Sequence, residues 1–518
     1  MKTKEQFSYD AVPYPSKFFL QTHPDRLATA GMLFGLQSAK PEACRVLELG
    51  CGNGSNLVAH AFGLPNASFV GIDLSEKHVE MATASAAELD LTNIKFRKMD
   101  VMEMKVDDFG EYDYITAHGL FSWVPDPVRE KVLSLFSEML RPNGIGYISY
   151  NAYPGAHARE MVRSLMLFHT RDVSDPQEMV DRSISLLELL AETTTDQEVY
   201  RHILKFELQR HHEHSVQDIY HDDLSDAYRP FYFHEFASRL TQNGMQFLSE
   251  AELHGSSRQG LSEDAVAFLD RIEDPILAEQ YLDLFRGRVF RQTLFCRDNI
   301  DLKRIPNPSV LDKLFLSSTL RPVEKITDIA ERKVERFISA KGQRMQIDHP
   351  LTKAALLRLG EVWGRSIGTT DLLNEANQQL VAADSPSLDR EKEFETTRNI
   401  LLQIALGSDM IELHSYAPKA NTEAGSKPKV NRLSRWQLRD SNNVMTLLIK
   451  DLKLNDNISR HLLELMDGTK TKPTLIREMQ SFIRAQKDVP DNQDLIRDMP
   501  GWLDESIGTL ARLGALES

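Results

Sequence analysis

The chain has 518 residues, 41% hydrophobic and 26% charged, with a net charge of -15. That is the composition of a folded protein of roughly three domains, and its acidic balance disfavours nucleic-acid backbone and phospholipid surfaces as partners while favouring a basic or lysine-rich one. Cys44, Cys51 and Cys296 make no paired framework, residues 1–10 lack an apolar run behind a basic start, and no later stretch approaches the roughly 18 apolar residues of a membrane span, so a reduced, cytoplasmic setting with no membrane partner is expected.

Residues 9–16 contain Tyr9, Pro13, Tyr14 and Pro15, which excludes regular helix and suggests a lid ahead of a helix over 24–34. An apolar strand over 46–49 then runs into alternate glycines, Gly50, Gly52 and Gly54, and residues 55–61 begin a helix. Glycines let the backbone turn sharply and approach a ligand closely, and a helix start leaves N–H groups without partners, so this is a nucleotide-type loop. Asp73, ending the next strand at 68–72, is placed to take the two hydroxyls of a ribose.

The strand–helix alternation continues: helix over 76–89, strand over 94–98 ending at Asp100, strand over 112–117 ending at His118-Gly119, helix over 127–140, a Pro142-Asn143-Gly144 turn, and strand over 145–150. Ligands of such sheets bind at the carboxyl ends of the strands, which should gather Gly50–Gly54, Asp73, Asp100, His118 and Asn151. Residues 156–220 lack strand patterning and read as helices. A helix over 233–244, a strand at 246–248 and an alternating strand over 289–297 follow, so 156–229 interrupts the sheet as an insertion.

The run Arg210-His211-His212-Glu213-His214 fits no ligand spacing, because adjacent histidines point to different sides of a helix; a solvated face is expected and no metal. Beyond Pro306 a weak repeat of helix, turn, helix, helix and wing suggests two winged-helix-like modules, 301–425 and 426–518. Lys427, Lys429, Arg432, Arg435 and Arg439 lie between them, yet the overall charge opposes a phosphate surface, so no nucleic acid is expected. Gly364-Arg365-Ser366-Ile367-Gly368 matches the hydrolase elbow only formally, since a helix pattern precedes it where a buried strand is required.

Glu48, two residues before Gly50-x-Gly52-x-Gly54, with Asp73, Asp100 and His118-Gly119 in order, resembles the class I S-adenosylmethionine-dependent methyltransferases. The resemblance implies an α/β fold, a Rossmann-like seven-stranded sheet with a helical insertion, followed by mostly helical winged-helix-like modules. It implies that Glu48, Gly50, Cys51, Gly52, Gly54 and Asn56 hold the methionine end of S-adenosylmethionine, whose product is S-adenosylhomocysteine. Asp73, with Leu74 next to it, takes the ribose, Asp100 the adenine amino group with Val101 beside the ring, and His118-Gly119 faces the sulfonium.

Tyr9-Asp10, residues 13–16, 21–27, 118–125 and 150–155 narrow it: they are similar to bacterial methyltransferases with a methyltransferase regulatory domain. The rickettsial protein-lysine methyltransferases of outer-membrane proteins are similar over most of the chain. This implies a cofactor core over 1–155, a capping and dimerising insertion over 156–229, completion of the sheet over 230–300, a homodimer, and a protein substrate such as an outer-membrane or surface protein. Trp123, Tyr150, Tyr153 and Tyr14 would form an aromatic channel for a lysine, with Asn151 orienting the amine and His118 relaying a proton. Two other readings share the motifs: a small-molecule methyltransferase with regulatory C-terminal domains, and a cofactor-sensing DNA-binding regulator.

Overall fold

The computed structural model describes residues 12, 14, 16–195, 197–225, 227–382, 390–485 and 492–517. The chain divides into two compact units: 1–17, 36–61 and 65–302 form the first, and 18–35, 62–64 and 303–518 the second. Helix α1 (Pro24–Leu33), expected with the cofactor core, therefore belongs to the second unit.

The first unit is built on β1 (Arg45–Leu49), α2 (Ser55–Gly63), β2 (Ser68–Asp73), α3 (Glu76–Glu88), β3 (Ile94–Lys98), β4 (Tyr112–Ala117), α4 (Asp126–Met139) and β5 (Leu140–Asn151). Four helices follow: α5 (Ala156–His169), α6 (Pro176–Thr193), α7 (Glu198–His212) and α8 (Val216–Asp223). Then come α9 (Phe233–Gln242), β6 (Met245–Glu250), α10 (Glu263–Leu269), α11 (Pro275–Arg286) and β7 (Phe290–Arg297). The strands make one sheet in the order β3-β2-β1-β4-β5-β7-β6. The first five run parallel, and β7 lies antiparallel to both β5 and β6. This is the class I methyltransferase topology, and it brings the ends of β1, β2 and β4 to one edge.

The expected turn at 142–144 is instead part of β5, because Tyr112 pairs with Leu140 and Tyr114 with Ile145. The extra residues are absorbed as an irregularity in the ladder with β4, ahead of Gly146–Asn151, the part of β5 that pairs with β7, so Pro142 need not donate. The core gathers residues such as Leu47, Ile115, Phe136, Ile148 and Phe295. The four insertion helices bury a cluster of their own, including Val162, Leu187, Leu204 and Ile219. On β7, the fully buried Arg291 meets Glu250 (2.7 Å), Glu279 (2.8 Å) and Asp283 (2.7 Å) over the Phe233 ring. Three carboxylates around one guanidinium make its burial tolerable.

In the second unit a three-stranded sheet, β8 (Phe315–Ser318) flanked by β12 (Ile367–Gly368) and β13 (Ile411–His414), packs with α12 (Pro350–Glu361), α13 (Thr369–Ala382) and α14 (Arg390–Gly407). A second small sheet, β9 (Arg321–Pro322), β10 (Glu335–Ile338) and β11 (Arg344–Ile347), had no counterpart in the sequence reading because its strands are four residues or fewer. The C-terminal module has α15 (Arg432–Gln437), a hairpin of β14 (Asn443–Met445) and β15 (Asp451–Lys453), then α16 (Asn457–Leu465), α17 (Lys472–Ala485), α18 (Asn492–Arg497) and α19 (Met499–Arg512) around one core. Among the described residues no helix is long and apolar enough to cross a membrane.

A buried polar chain secures α1 within this unit. Asp25 accepts hydrogen bonds from His414 Nδ1 (2.7 Å), Ser415 N (2.7 Å) and Ser415 Oγ (2.8 Å). On its other side His414 Nε2 meets Ser317 Oγ at 3.1 Å. The order Ser317–His414–Asp25 imitates a hydrolase triad, but all three are buried and Lys450 Nζ also donates to Ser317 Oγ (3.1 Å), so the hydroxyl is committed to the fold. Arg26 and Lys450 converge on Glu412 at 2.5 and 2.8 Å. Removing the buried Asp25 carboxylate leaves the His414 and Ser415 donors without an acceptor, at about 1–3 kcal/mol each, so Asp25→Ala should lower unfolding stability by about 3–5 kcal/mol, measured by chemical denaturation of the full chain, with Asp25→Asn losing less.

Candidate functional site

The glycine loop follows β1. Gly50, Gly52 and Gly54 have φ of 72°, 54° and 75°, the left-handed region in which a side chain is strained. They serve different ends. A Cβ on Gly54 would lie 2.6 Å from that of Ala82, whereas one on Gly52 would meet nothing within 4 Å. Gly54 lets α2 pack on its neighbours, and Gly52 leaves open space at the site. Part of the amide array is already used: Gly50 N and Cys51 N donate to Ile72 O, at 2.8 and 3.0 Å, and Gly52 N to Asp73 Oδ2 at 2.7 Å. Asp73 Oδ1 accepts from Ser75 N (2.9 Å), so this carboxylate is fixed at the end of β2 with oxygens that still have acceptor capacity.

Glu48 is buried. Its Oε1 accepts from Asn56 Nδ2 at 2.8 Å, and its Oε2 has no hydrogen-bond partner among the described residues. Burial pushes the Glu48 carboxyl up to about 8, only partly offset by Asn56. An ammonium placed against it would restore the charged form, so the site fits the methionine end of the expected cofactor. Cys51 is buried, and its thiol is pushed up by the same desolvation. Leu74 is exposed, and Asp100 caps a short helical turn through Met102 N (2.9 Å), with Val101 half-buried against the core.

After β4, His118 Nδ1 meets Tyr147 Oη at 2.7 Å, the two rings stacked, with Phe290 edge-on. Burial and the nearby Lys17 charge push the His118 imidazole down to about 3. It is neutral at ordinary pH and suits hydrogen bonding better than proton uptake. Gly119 (φ 65°) donates to Ser149 Oγ at 2.8 Å and faces open space. Ser16 Oγ accepts from Asn53 Nδ2 (3.0 Å), Lys17 pairs with Asp218 (2.5 Å), and His221 Nε2 donates to Val12 O (2.6 Å). Together they tie Ser16 to the glycine loop, and Val12 and Lys17 to α8. Tyr14 packs on His221, while Tyr9 lies outside the described residues.

The aromatic channel is revised. Tyr150 is 1% exposed, stacks on Phe236 at 4.3 Å and bonds Thr293 Oγ1 (3.2 Å); it is a core residue, because alternation along β5 sends it to the face opposite Asn151. Tyr153 turns to His157, Tyr232 and Glu160, donating to Glu160 Oε2 at 2.9 Å. Trp123 instead pairs with Tyr228 at 5.0 Å, and Arg159 stands over both rings. Arg159 also donates to Asn151 Oδ1 (3.4 Å), Asp222 O (3.2 Å) and Asp223 Oδ1 (2.8 Å).

Asp223 in turn binds Arg210 (3.0 Å) and His211 (3.2 Å), and Arg159, the His211 hydrogen bond and Arg210 hold its carboxyl well below the usual range despite burial. His211 is thus a buried partner, not part of a solvated face. Arg159 and Tyr228 escaped the sequence reading. Asp222-Asp223 beside the histidine run was a signal that buried ion pairing, not metal ligation, explains. Among the described residues no three His, Cys, Asp or Glu side chains are grouped to hold a metal.

A methyltransferase domain model matches residues 40–217, a predicted methyltransferase regulatory domain 215–297, and a PKMT C-terminal winged helix domain 426–513. An uncharacterized protein of Rickettsia prowazekii (strain Madrid E) is 29% identical over 92% of this chain and 86% of its own length, and a second from the same strain is 30% identical over 48% of this chain and 99% of its own. PKMT2 from Rickettsia typhi, solved in complex with AdoHcy, superposes with a TM-score of 0.85 at 23% identity, over 98% of this chain and all of that one.

If Glu48 takes a cationic group, Glu48→Gln should weaken S-adenosylmethionine binding roughly 10- to 100-fold. In the wild type, affinity should rise as pH is raised toward the value near 8 at which the ligand-free carboxyl ionises, and the variant's should stay flat; titration calorimetry across pH reads both.

Proposed function

Because this chain belongs to the S-adenosylmethionine-dependent methyltransferases, we propose that its acceptor is the side-chain amine of lysine in a protein, with outer-membrane or surface proteins the first to try. The observation that carries this reading is the aromatic corner of Trp123 and Tyr228 beside the Asn151 carboxamide at the carboxyl edge of the sheet. The match of the C-terminal module to a PKMT winged helix supports it.

The bound cofactor supplies an activated methyl group on a sulfonium. Glu48, Asn56 and the glycine loop would hold its amino-acid end and Asp73 its ribose, with Asp100 and Val101 at the adenine. The remaining work falls to the acceptor side. A lysine amine has its lone pair free only after deprotonation, which from a pKa near 10.4 costs roughly 4–5 kcal/mol at neutral pH. Trp123 and Tyr228 would exclude water from the alkyl stem and so lower that cost, and Asn151 Oδ1, held by Arg159, would orient the amine. His118, neutral, would position rather than take the proton.

Purified protein with labelled S-adenosylmethionine should methylate lysines of a protein in cell lysate, read by peptide mass spectrometry; the absence of any methylated lysine overturns the reading. Trp123→Ala should lower kcat/KM for that lysine roughly 10- to 100-fold with cofactor affinity unchanged.

The protein acts, in this reading, as a cytoplasmic homodimer. Its cysteines are unpaired, and the insertion exposes Phe168 (70%), Val199 (76%) and Phe206 (66%), an apolar surface that a second copy would cover. Light scattering should report a dimer for the wild type and a monomer for Phe206→Asp.

A further inference from the structure

Tyr228 stands between α8 and α9, in the stretch that leads out of the insertion, and no motif marks it. Its ring meets the Trp123 indole at 5.0 Å and 44°, and the guanidiniums of Arg159 and Arg163 lie 5.9 and 5.2 Å from its centre. Its neighbours are committed elsewhere: Arg163 donates to Asp223 O (2.7 Å) and to Ser225 O, Arg159 to Asp223 and Asn151, and Tyr153 to Glu160. The Tyr228 hydroxyl alone in this group is shielded from water and has no hydrogen-bond partner among the described residues. Folded proteins rarely leave a buried hydroxyl in that state, because it has given up water for nothing. Its position beside Trp123 and Arg159, which reaches Asn151, puts the missing partner at the acceptor.

We propose that Tyr228 is a specificity-determining residue of the acceptor site: its phenol oxygen accepts an N–H from the acceptor lysine and thereby limits how many methyl groups that lysine receives. The proposal rests on the lysine reading above. In each transfer the amine lone pair forms an N–C bond as the C–S bond breaks, the electron pair of that bond passes to sulfur, and the product ammonium releases its proton to water. A primary amine whose lone pair points at the methyl carbon has two N–H bonds. One is held by Tyr228, and the other position can carry the methyl from the first round, so a second transfer keeps the hydrogen bond. A dimethylamine has no N–H left for the third. Its second methyl would have to stand where the phenol oxygen is, and the oxygen would again be buried without a partner. The wild type should therefore stop at dimethyl-lysine.

The test is the distribution of mono-, di- and trimethyl-lysine on a methylated protein substrate, by mass spectrometry at matched turnover. Tyr228→Phe removes one oxygen and should raise the trimethyl fraction by about threefold or more, with cofactor affinity unchanged. Trp123→Phe opens the same corner from the opposite wall and should shift the distribution the same way, which keeps the proposal testable if Tyr228→Phe folds poorly. Proportionate loss of all three products, as a purely structural role would give, or an unchanged distribution in the folded variants, overturns it, as does a wild type that already makes mostly trimethyl-lysine. A wild type that methylates no lysine removes the lysine reading and this proposal together; methylation with a distribution indifferent to Tyr228 removes only the proposal.

Discussion

The junction between the helical insertion and the end of β5 depends on one buried carboxylate. Asp223 ends α8 with its charge out of water, and only the ring of donors from α5 and α7 makes that tolerable: Arg159, Arg210 and His211. The same contacts set the position of Arg159, and Arg159 in turn sets the Asn151 carboxamide and flanks the Trp123 and Tyr228 rings. The insertion helices are thereby locked to the end of the strand they follow. The geometry is specific because a planar guanidinium offers donors in fixed directions and an imidazole only two.

On the cofactor side the constraint is steric before it is electrostatic. The three glycines turn the chain with positive φ, and Gly54 lies so close to Ala82 and Phe96 that no side chain fits. That packing brings α2 under the loop, and it carries Asn56 to Glu48. The buried carboxyl is left half satisfied, a state that favours a cation at its open oxygen. The loop's amides, meanwhile, mostly secure β2 and Asp73, so the loop is rigid before any ligand arrives. Ser16 touches this loop and Val12 touches α8 through short polar contacts.

The second unit shows the same economy with charged groups. Asp25, His414, Ser317, Lys450, Glu412 and Arg26 form a continuous network, buried at Asp25, His414 and Ser317, in which the Ser317 hydroxyl and the His414 ring are already paired. It joins α1 to β13 across most of the chain length, which is why an N-terminal helix belongs with the C-terminal half of the sequence.

Local signals sufficed for the cofactor half. Strands of mostly five or six residues alternating with helices, and glycines at fixed spacing, are short-range patterns, so the sheet and the glycine loop were legible in the amino-acid sequence by itself. Strands of two to four residues and hairpins such as β14–β15 were not, since so short a segment carries no period. The surroundings of Trp123 and Asn151 were decided by tertiary structure alone. Which face of β5 a tyrosine takes depends on register, so Tyr150 went to the core while Asn151 met Arg159. Tyr228 and Asp223 gain their meaning from burial and from partners tens of residues away, and α1 from partners nearly four hundred residues away. Desolvation and pairing are properties of a place in the fold, and no spacing in a sequence records them.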